Sequence, residues 1–389
     1  MNRSEAVARC LREADPHRLL AVLRSSLAEH YGALSAELLL ADYGLRVLCH
    51  VTDSDREGTG QFSLFNSVVG RVFGSQEPLV ERRSAPGVVA VHVPVTVRGD
   101  RLGVLSVETE SVEEAEDGLR ELRWIADILG HALLVAERDT DLYRILRRRD
   151  RLTLAAEMQW DLLPGRAYEC DEYSIGAQLE PAYAVRGDNF DWSAGRDRLV
   201  LSVTNGMGEG VEASLLTSLA VNALRNARRA GVPLADQIAL ADKAVYAVHG
   251  GERYLDVLLL GFDLETGRVE VVDAGSPRLY VLRGDRVFQS PFEAQLPLGM
   301  AEDSVYETQS FDVEPGDRLV FVSDGVFDSG LPLGEPFGDK ALARAILGTR
   351  LLPTASVPQE VLRHLSAHQK GDEVFDDALV VCLDWRGRG

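Results

Sequence analysis

The spacing of apolar residues along the first third of the chain predicts helices followed by strands. Leucines recur at helical spacing at positions 11, 19, 20, 23 and 27, which predicts helix over residues 1–30. Apolar runs over 36–40, 46–51, 88–97 and 102–108 are typical of strands, and the polar turn 98–101 joins the last two as a hairpin. A short helix is predicted over 65–73 and a long one over 113–137. This part of the chain therefore combines both kinds of element.

A helical pattern continues beyond this region, and no proline interrupts it from about residue 113 to Leu162. Leu142, Ile145, Leu152 and Ala156 fall at helical spacing, although a run this short does not predict a coiled coil. Pro164 and Gly165 end the pattern. We expect a helix that joins two domains and a homodimer held through the N-terminal domain and this helix.

The last part of the chain is predicted to hold two blocks of strands around a pair of helices. The helices cover about 211–230 and 233–249. The second strand block comprises 254–263, 268–273, 278–282 and 318–322, and a helix over 358–369 precedes a final strand over 378–383. Strand blocks that flank a helix pair predict two packed sheets with helices outside.

Acidic and glycine-rich turns stand at the ends of several of these strands. They are Gly187-Asp188, Asn205-Gly206, Ser323-Asp324-Gly325 and Asp376-Asp377. Each aspartate by itself would be read as a turn or capping residue. Carboxylates gathered at several strand ends repel one another unless a cation offsets their charge. The set therefore predicts a site for a hard metal ion on a sheet core.

These turns occur in an order that resembles a known family. The ordered segments are Leu162-Leu163-Pro164, Pro181-Ala182, Gly187-Asp188, Asn205-Gly206-Met207-Gly208, Ala274-Gly275, Leu296-Pro297-Leu298-Gly299, Ser323-Asp324-Gly325-Val326 and Asp376-Asp377. The stretch from about 160 to 385 resembles the PP2C-type (PPM) serine/threonine phosphatases of the bacterial SpoIIE and RsbU branch. The resemblance implies an α-β-β-α sandwich, a pair of Mn²⁺ or Mg²⁺ ions, and a phosphoprotein substrate such as an anti-sigma-factor antagonist.

The resemblance also assigns metal ligands. Asp188, Asp324 and Asp376 would be carboxylate ligands, and Gly206 would offer its backbone carbonyl. Asn205 stands where the family has an aspartate that bridges two metal ions, and an amide has one neutral oxygen for that position. We count Asn205 with Asp188, Asp324 and Asp376 as the catalytic set.

The asparagine leaves two interpretations open. In the first, the protein is a phosphatase that tolerates the change, with Asp188, Asp191 or waters making up for the missing carboxylate. In the second, it is a pseudophosphatase that binds a phosphoprotein or another partner without turnover.

A second resemblance concerns the N-terminal region. The segment from Val93 to Leu105, a strand, a polar turn and a second strand, resembles the last hairpin of GAF domains, and the long helix after it fits that family. It implies a mixed α/β sensor with a pocket that holds a small ligand, or a domain that only dimerises. The predicted domains are a GAF-like sensor over 1–137, a helical linker over 138–164 and a PP2C-like phosphatase domain over 165–389.

The composition of the chain limits which kinds of molecule it is expected to bind and where it is expected to be located. A net charge of −20, from 41 basic and 61 acidic residues, disfavours binding to nucleic acids and anionic membranes. The four cysteines are far apart and show no zinc or disulfide spacing, which favours reduced thiols in the cytoplasm. With neither a signal leader nor an apolar run of membrane-spanning length, we expect a soluble cytoplasmic protein.

Overall fold

The computed structural model describes residues 2–51, 60–85, 87–110, 112–180, 187–275, 277–328, 337–369 and 377–388. For residues 112–117 and 339 it describes the backbone alone. The chain divides into two compact units, residues 1–151 and 152–389. Within the described ranges, no helix is both long enough and apolar enough to cross a bilayer.

The first unit is built on one six-stranded antiparallel sheet. Its strands are β1 (Ser35–Ala41), β2 (Val47–His50), β3 (Gln61–Ser63), β4 (Leu79–Arg82), β5 (Val89–Val97) and β6 (Asp100–Thr109). Their order across the sheet is β3-β2-β1-β6-β5-β4. The helices are α1 (Arg3–Glu13), α2 (Leu19–Tyr31), α3 (Val68–Ser75), α4 (Val112–Ala136) and α5 (Leu142–Leu146).

Both faces of this sheet are covered. The apolar residues of α1, α2 and α4 form one core with one face, and α3 forms a second core with the other. The strands predicted over 36–40, 46–51, 88–97 and 102–108 are confirmed as β1, β2, β5 and β6. The single helix predicted over 1–30 is wrong, since α1 ends at Glu13 and Asp15 is extended. Pro16 disfavours a helical conformation in the residue before it, which explains the break.

The uninterrupted helix predicted from about residue 113 to Leu162 is also divided, into α4, α5 and α6 (Leu154–Leu162). Tyr143 of α5 is buried in the core of the first unit, and its hydroxyl donates to the carbonyl of Pro16 at 2.7 Å. Thr153 starts α6 as an N-cap, because its Oγ1 accepts from the N–H of Ala156 at 3.1 Å. The helical spacing of apolar residues continues across these breaks, because α5 and α6 each begin with residues that favour helix. The spacing alone therefore did not reveal them. The domain limits after residues 137 and 164 remain predictions.

The second unit contains two antiparallel sheets. The five-stranded sheet has the order β15-β12-β11-β10-β9 and the six-stranded sheet the order β14-β13-β16-β17-β8-β7. The strands are β7 (Ala167–Glu169), β8 (Tyr173–Glu180), β9 (Asn189–Ala194), β10 (Arg198–Gly206), β11 (Leu255–Asp263), β12 (Arg268–Ala274), β13 (Arg278–Arg283), β14 (Arg286–Gln289), β15 (Gln309–Asp312), β16 (Arg318–Val322) and β17 (Ala378–Trp385). The helices after α6 are α7 (Gly210–Arg229), α8 (Leu234–His249), α9 (Asp324–Phe327), α10 (Gly338–Gly348) and α11 (Val357–His368).

These elements form four layers. Helices α7 and α8 pack on the outer face of the five-stranded sheet, and α10 and α11 pack on the outer face of the six-stranded sheet. The inner faces meet each other, as shown by Phe262 of β11 stacking on Trp385 of β17 with ring centroids 6.0 Å apart. The α-β-β-α sandwich predicted for the C-terminal part is confirmed. Strand alternation therefore decides whether a residue faces the helices or the opposite sheet.

Candidate active site

Two glycine turns lie against each other at one end of the five-stranded sheet. The N–H of Gly206, at the end of β10, donates to the carbonyl of Gly187, just before β9, at 3.3 Å. A Cβ on Gly187 would stand 2.5 Å from the Gly206 carbonyl oxygen, so a larger residue would not fit there. This close approach places Asp188 next to the Gly206 turn.

Asp377 connects this place to the other sheet. Its Oδ2 accepts from the N–H groups of Gly187 at 2.7 Å and Asp188 at 3.3 Å. The backbone carbonyl oxygen of Asp377 lies close to Gly325: a Cβ added to Gly325 would be only 1.8 Å from it. Because Asp377 precedes β17, its carboxylate and backbone together join the Asp188 turn to the Asp324-Gly325 turn.

The structure places the predicted site residues as follows. Asp188 is 2% exposed, Gly206 is buried, and Asn205 and Asp324 are half-buried. The Oδ1 of Asp324 accepts from the N–H of Gly325 at 2.8 Å. Asp376 lies outside the described residues, as does the Pro181-Ala182 segment. The assignment of these residues as ligands therefore stays a prediction.

The donors that the structure brings together fit a hard divalent cation in their chemistry. Asp188, Gly206 and Asp324 offer oxygen atoms only, and the contacts of Gly187, Gly325 and Asp377 hold their segments together. Among the described residues, no three His, Cys, Asp or Glu side chains form a group that could hold a metal ion. A complete set needs a further donor, and Asp376 is the predicted one.

Part of the chain is similar to a known protein family and to solved structures. Residues 195–386 match the profile of the family described as Stage II sporulation protein E (SpoIIE). The structure is similar to the SiaA-PP2C domain of Pseudomonas aeruginosa, with a TM-score of 0.51 and 21% identity, over 60% of this chain and 94% of that one. The second unit contains a SpoIIE-type PP2C phosphatase domain.

Two curated bacterial proteins are also similar to part of this chain. The phosphoserine phosphatase RsbU of Bacillus subtilis is 21% identical over 213 residues, which are 54% of this chain and 64% of RsbU. Protein IcfG of Synechocystis is 22% identical over 255 residues, which are 58% of this chain and 40% of IcfG. The chain thus spans less than two thirds of the length of either relative.

Asp191 of the phosphatase domain is turned away from the candidate metal position. It pairs with Ser202 on β10, on the face of the sheet that α7 covers. Its two oxygens accept from Arg225 at 2.7 Å and Arg228 at 2.8 Å, and the side chain is 3% exposed. The suggestion that Asp191 replaces the carboxylate missing at Asn205 is therefore wrong, since strand alternation points it at the helices.

Helices α6 and α7 contact the backbone that carries Asp188. Thr217 of α7 donates its hydroxyl hydrogen to the Gly187 carbonyl at 2.8 Å. Asn189, the residue after Asp188, donates from Nδ2 to Oε1 of Gln159 on α6 at 3.1 Å, and both side chains are fully buried. The position of the Asp188 turn therefore depends on both helices.

A polar cavity of about 370 Å³ lies beside Asp324. Its lining residues come from the ends of β12, β13 and α9 and from the segment after β14, and they include Asp273, Gly275, Arg278, Ser290, Phe292, Asp324 and Asp328. The guanidinium of Arg278 stacks on the ring of Phe327 at 3.6 Å from its centroid. The cavity thus offers both signs of charge next to a predicted ligand.

Asp273 is the most deeply buried carboxylate of this cavity, at 8% exposed. Burial raises the pKa of its carboxyl to about 6, against the opposing effect of the Gly275 N–H at 3.2 Å from Oδ1. This residue could not be predicted from the sequence, because it occupies an ordinary polar position late in a strand. Only the pairing of β12 with β11 turns it toward the opposite sheet.

We expect Asp273→Asn to stabilise the metal-free protein at alkaline pH. A folded-state pKa above the unfolded value means that stability is lost as pH rises from about 4 through 6, while the carboxyl ionises. The substitution should raise the free energy of unfolding by about 1–3 kcal/mol near pH 8 and by much less near pH 4.5. Urea unfolding with EDTA at both pH values measures this. The exposed Asp285→Asn is the matched control, and an equal effect of Asp273→Asn at both pH values would contradict the expectation.

Proposed function

We propose that this protein is a metal-dependent protein serine/threonine phosphatase of bacterial signalling. The observation that carries the proposal is the junction made by Asp377, which holds the Asp188 turn of one sheet against the Asp324 turn of the other within a PP2C fold. The relative RsbU is itself named a phosphoserine phosphatase, which supports the same reaction class.

In this proposal Asp188, Asp324 and Asp376, the Gly206 carbonyl and the Asn205 amide oxygen hold Mn²⁺ or Mg²⁺. A bound pair of such ions supplies a nucleophilic water at neutral pH and neutralises phosphoryl oxygens. Asp377 and Thr217 hold the Asp188 turn in place through its N–H groups and the Gly187 carbonyl. The cavity beside Asp324 receives the part of the substrate next to the phosphoryl group, and Arg278 offers it a positive charge.

The substrate in this proposal is a phosphorylated regulatory protein, such as an anti-sigma-factor antagonist. RsbU-like relatives support a protein partner in a signalling pathway. The first unit acts as a GAF-like sensor that controls the phosphatase domain. The sheet covered by helices on both faces is consistent with this role, and the contacts of Gln159 with Asn189 offer a route from α6 to the Asp188 turn.

Asp324→Ala should abolish Mn²⁺-dependent hydrolysis of a phosphate ester. The substitution removes a predicted ligand while the Gly325 backbone stays in place, so the loss should reach at least about a hundredfold. The rate of p-nitrophenol release from p-nitrophenyl phosphate in the presence of Mn²⁺ measures this loss. Asp285→Ala removes an exposed carboxylate of the β13–β14 turn and should keep full activity. Unchanged hydrolysis by the Asp324→Ala variant would contradict the proposed role of this site in the reaction.

The alternative is a pseudophosphatase that binds phosphoprotein without turnover. It is motivated by Asn205 alone, since an amide at this position carries no negative charge to hold two cations.

The substitution Asn205→Asp distinguishes the phosphatase from the pseudophosphatase. For an enzyme adapted to asparagine, the wild type should already release phosphate from a phosphoserine peptide, and the substitution should change the rate by less than about tenfold. If the missing carboxylate limits the enzyme, the substitution should raise turnover more than that and tighten Mn²⁺ binding. A wild type that binds the phosphopeptide but releases no phosphate with Mn²⁺ or Mg²⁺ would favour the pseudophosphatase. Phosphate release and peptide binding are measured on the same samples.

The proposed assembly is a homodimer joined through the first unit. Helix α4 exposes Trp124, Leu134 and Val135, and the last of these is 61% exposed. Light scattering should give a dimer for the full chain and a monomer for residues 152–389. Val135→Glu should dissociate the dimer, whereas Leu351→Glu, a change at a still more exposed apolar residue of the second unit, should not. A monomeric full chain would end this proposal.

A further inference from the structure

The cavity beside Asp324 carries more negative than positive charge. Among the described residues that line it, Asp273, Asp324 and Asp328 carry carboxylates and Arg278 carries a guanidinium. That guanidinium lies over the ring of Phe327, at 3.6 Å from the ring centroid. A negatively charged group would meet a surplus of carboxylates in this cavity, whereas a positively charged group would be attracted to them.

Asp273 differs from other buried carboxylates of the domain in having no positively charged partner. Among the described residues, its carboxylate meets one hydrogen-bond donor, the N–H of Gly275 at 3.2 Å from Oδ1, and no arginine, lysine or histidine. Asp317, by contrast, is 1% exposed and pairs with Arg283 at 2.6 Å. Because a buried carboxylate without a countercharge is costly, a positive group that enters the cavity and reaches Asp273 would bind favourably.

The segment after β14 is held in place as a wall of this cavity. The N–H of Ser290 donates to the carbonyl of Leu279 at 3.0 Å, and the N–H of Gln295 donates to the carbonyl of Asp273 at 2.8 Å. Phe292, between these two contacts, gives the wall an aromatic face. The cavity of about 370 Å³ is therefore formed without a ligand, and its volume is sufficient for one long side chain.

We propose that this cavity binds a positively charged side chain of the protein substrate, close in sequence to the phosphorylated residue, and that Asp273 is the residue that selects it. The inference rests on the proposed phosphatase function, since the cavity adjoins the predicted metal ligand Asp324 and so lies beside the position of the phosphoryl group. Arginine and lysine suit the cavity, because each has an apolar stem for the aromatic wall and a charged end that donates hydrogen bonds to the Asp273 carboxylate.

Binding of peptides that cannot be hydrolysed tests this inference without relying on turnover. Each peptide carries a phosphoserine analogue, in which a methylene group replaces the ester oxygen, and a single arginine placed at a different position beside it. Fluorescence anisotropy with the full-length protein, in Mn²⁺ and physiological salt, should show one arginine position that binds at least about tenfold more tightly than the others. All the peptides have the same net charge, so general attraction to a chain of net charge −20 does not produce this difference.

The variant Asp273→Asn should reduce the preference for that position to less than about threefold, because it removes the charge and keeps the shape of the side chain. Asp285→Asn is the matched control, since it removes an exposed carboxylate of the β13–β14 turn, and it should keep the wild-type preference. Thermal melting establishes that both variants are folded. If Asp273→Asn does not fold, the wild-type peptide series decides.

The outcomes separate this inference from the proposed function when phosphate release from the matching phosphoserine peptides is measured as well. Phosphate release without a preferred arginine position, or with a preference that Asp273→Asn keeps, would overturn the role of Asp273 and leave the phosphatase proposal standing. A preference in binding without release of phosphate would overturn the phosphatase proposal and support the role of Asp273. A wild type that binds none of the peptides and releases no phosphate would overturn both.

Discussion

The carboxylate of Asp377 is the contact on which the candidate site depends. It stands just before β17 of the six-stranded sheet and accepts from the two N–H groups that precede β9 of the five-stranded sheet. Hydrogen bonds to a buried charged acceptor contribute about 1.5–3 kcal/mol each, and a carboxylate that lost them would stay buried without compensation. The ends of both sheets are therefore fixed to each other where the acidic turns converge. Glycines at 187, 206 and 325 are required because these backbones approach closely.

The second unit accommodates its buried carboxylates in different ways. Asp191 is neutralised by the paired guanidinium groups of Arg225 and Arg228. Oδ2 of Asp377 accepts from two backbone N–H groups, and burial raises the pKa of Asp273. Each solution removes the cost of a buried negative charge by a separate physical means. A cation is the means proposed for Asp188 and Asp324, whose turns the backbone and carboxylate of Asp377 join.

Hydrogen bonds from α6 and α7 connect the Asp188 turn to the rest of the phosphatase domain. Gln159 of α6 bonds to Asn189, and Thr217 of α7 bonds to the Gly187 carbonyl. Arg225 adds a bond from α7 to the last turn of α6, at the carbonyl of Leu162. A displacement of α6 would therefore move Asn189, which is next to the predicted ligand Asp188. The contacts of Gln159 and Thr217 are buried, and that of Arg225 is partly buried.

The sequence alone determined the alternation of strand blocks and helix pair, the four-layer sandwich, and the acidic turns at strand ends, because periodicity and turn chemistry are local properties. It did not show the breaks before Leu19 and Leu154, where a proline and a capping threonine act within a continuing pattern. Nor did it show the direction of Asp191 or the junction made by Asp377. The direction of Asp191 depends on which face of the β9–β10 hairpin the helices cover, and the Asp377 junction joins segments far apart in the chain, so only the packed sheets decide both.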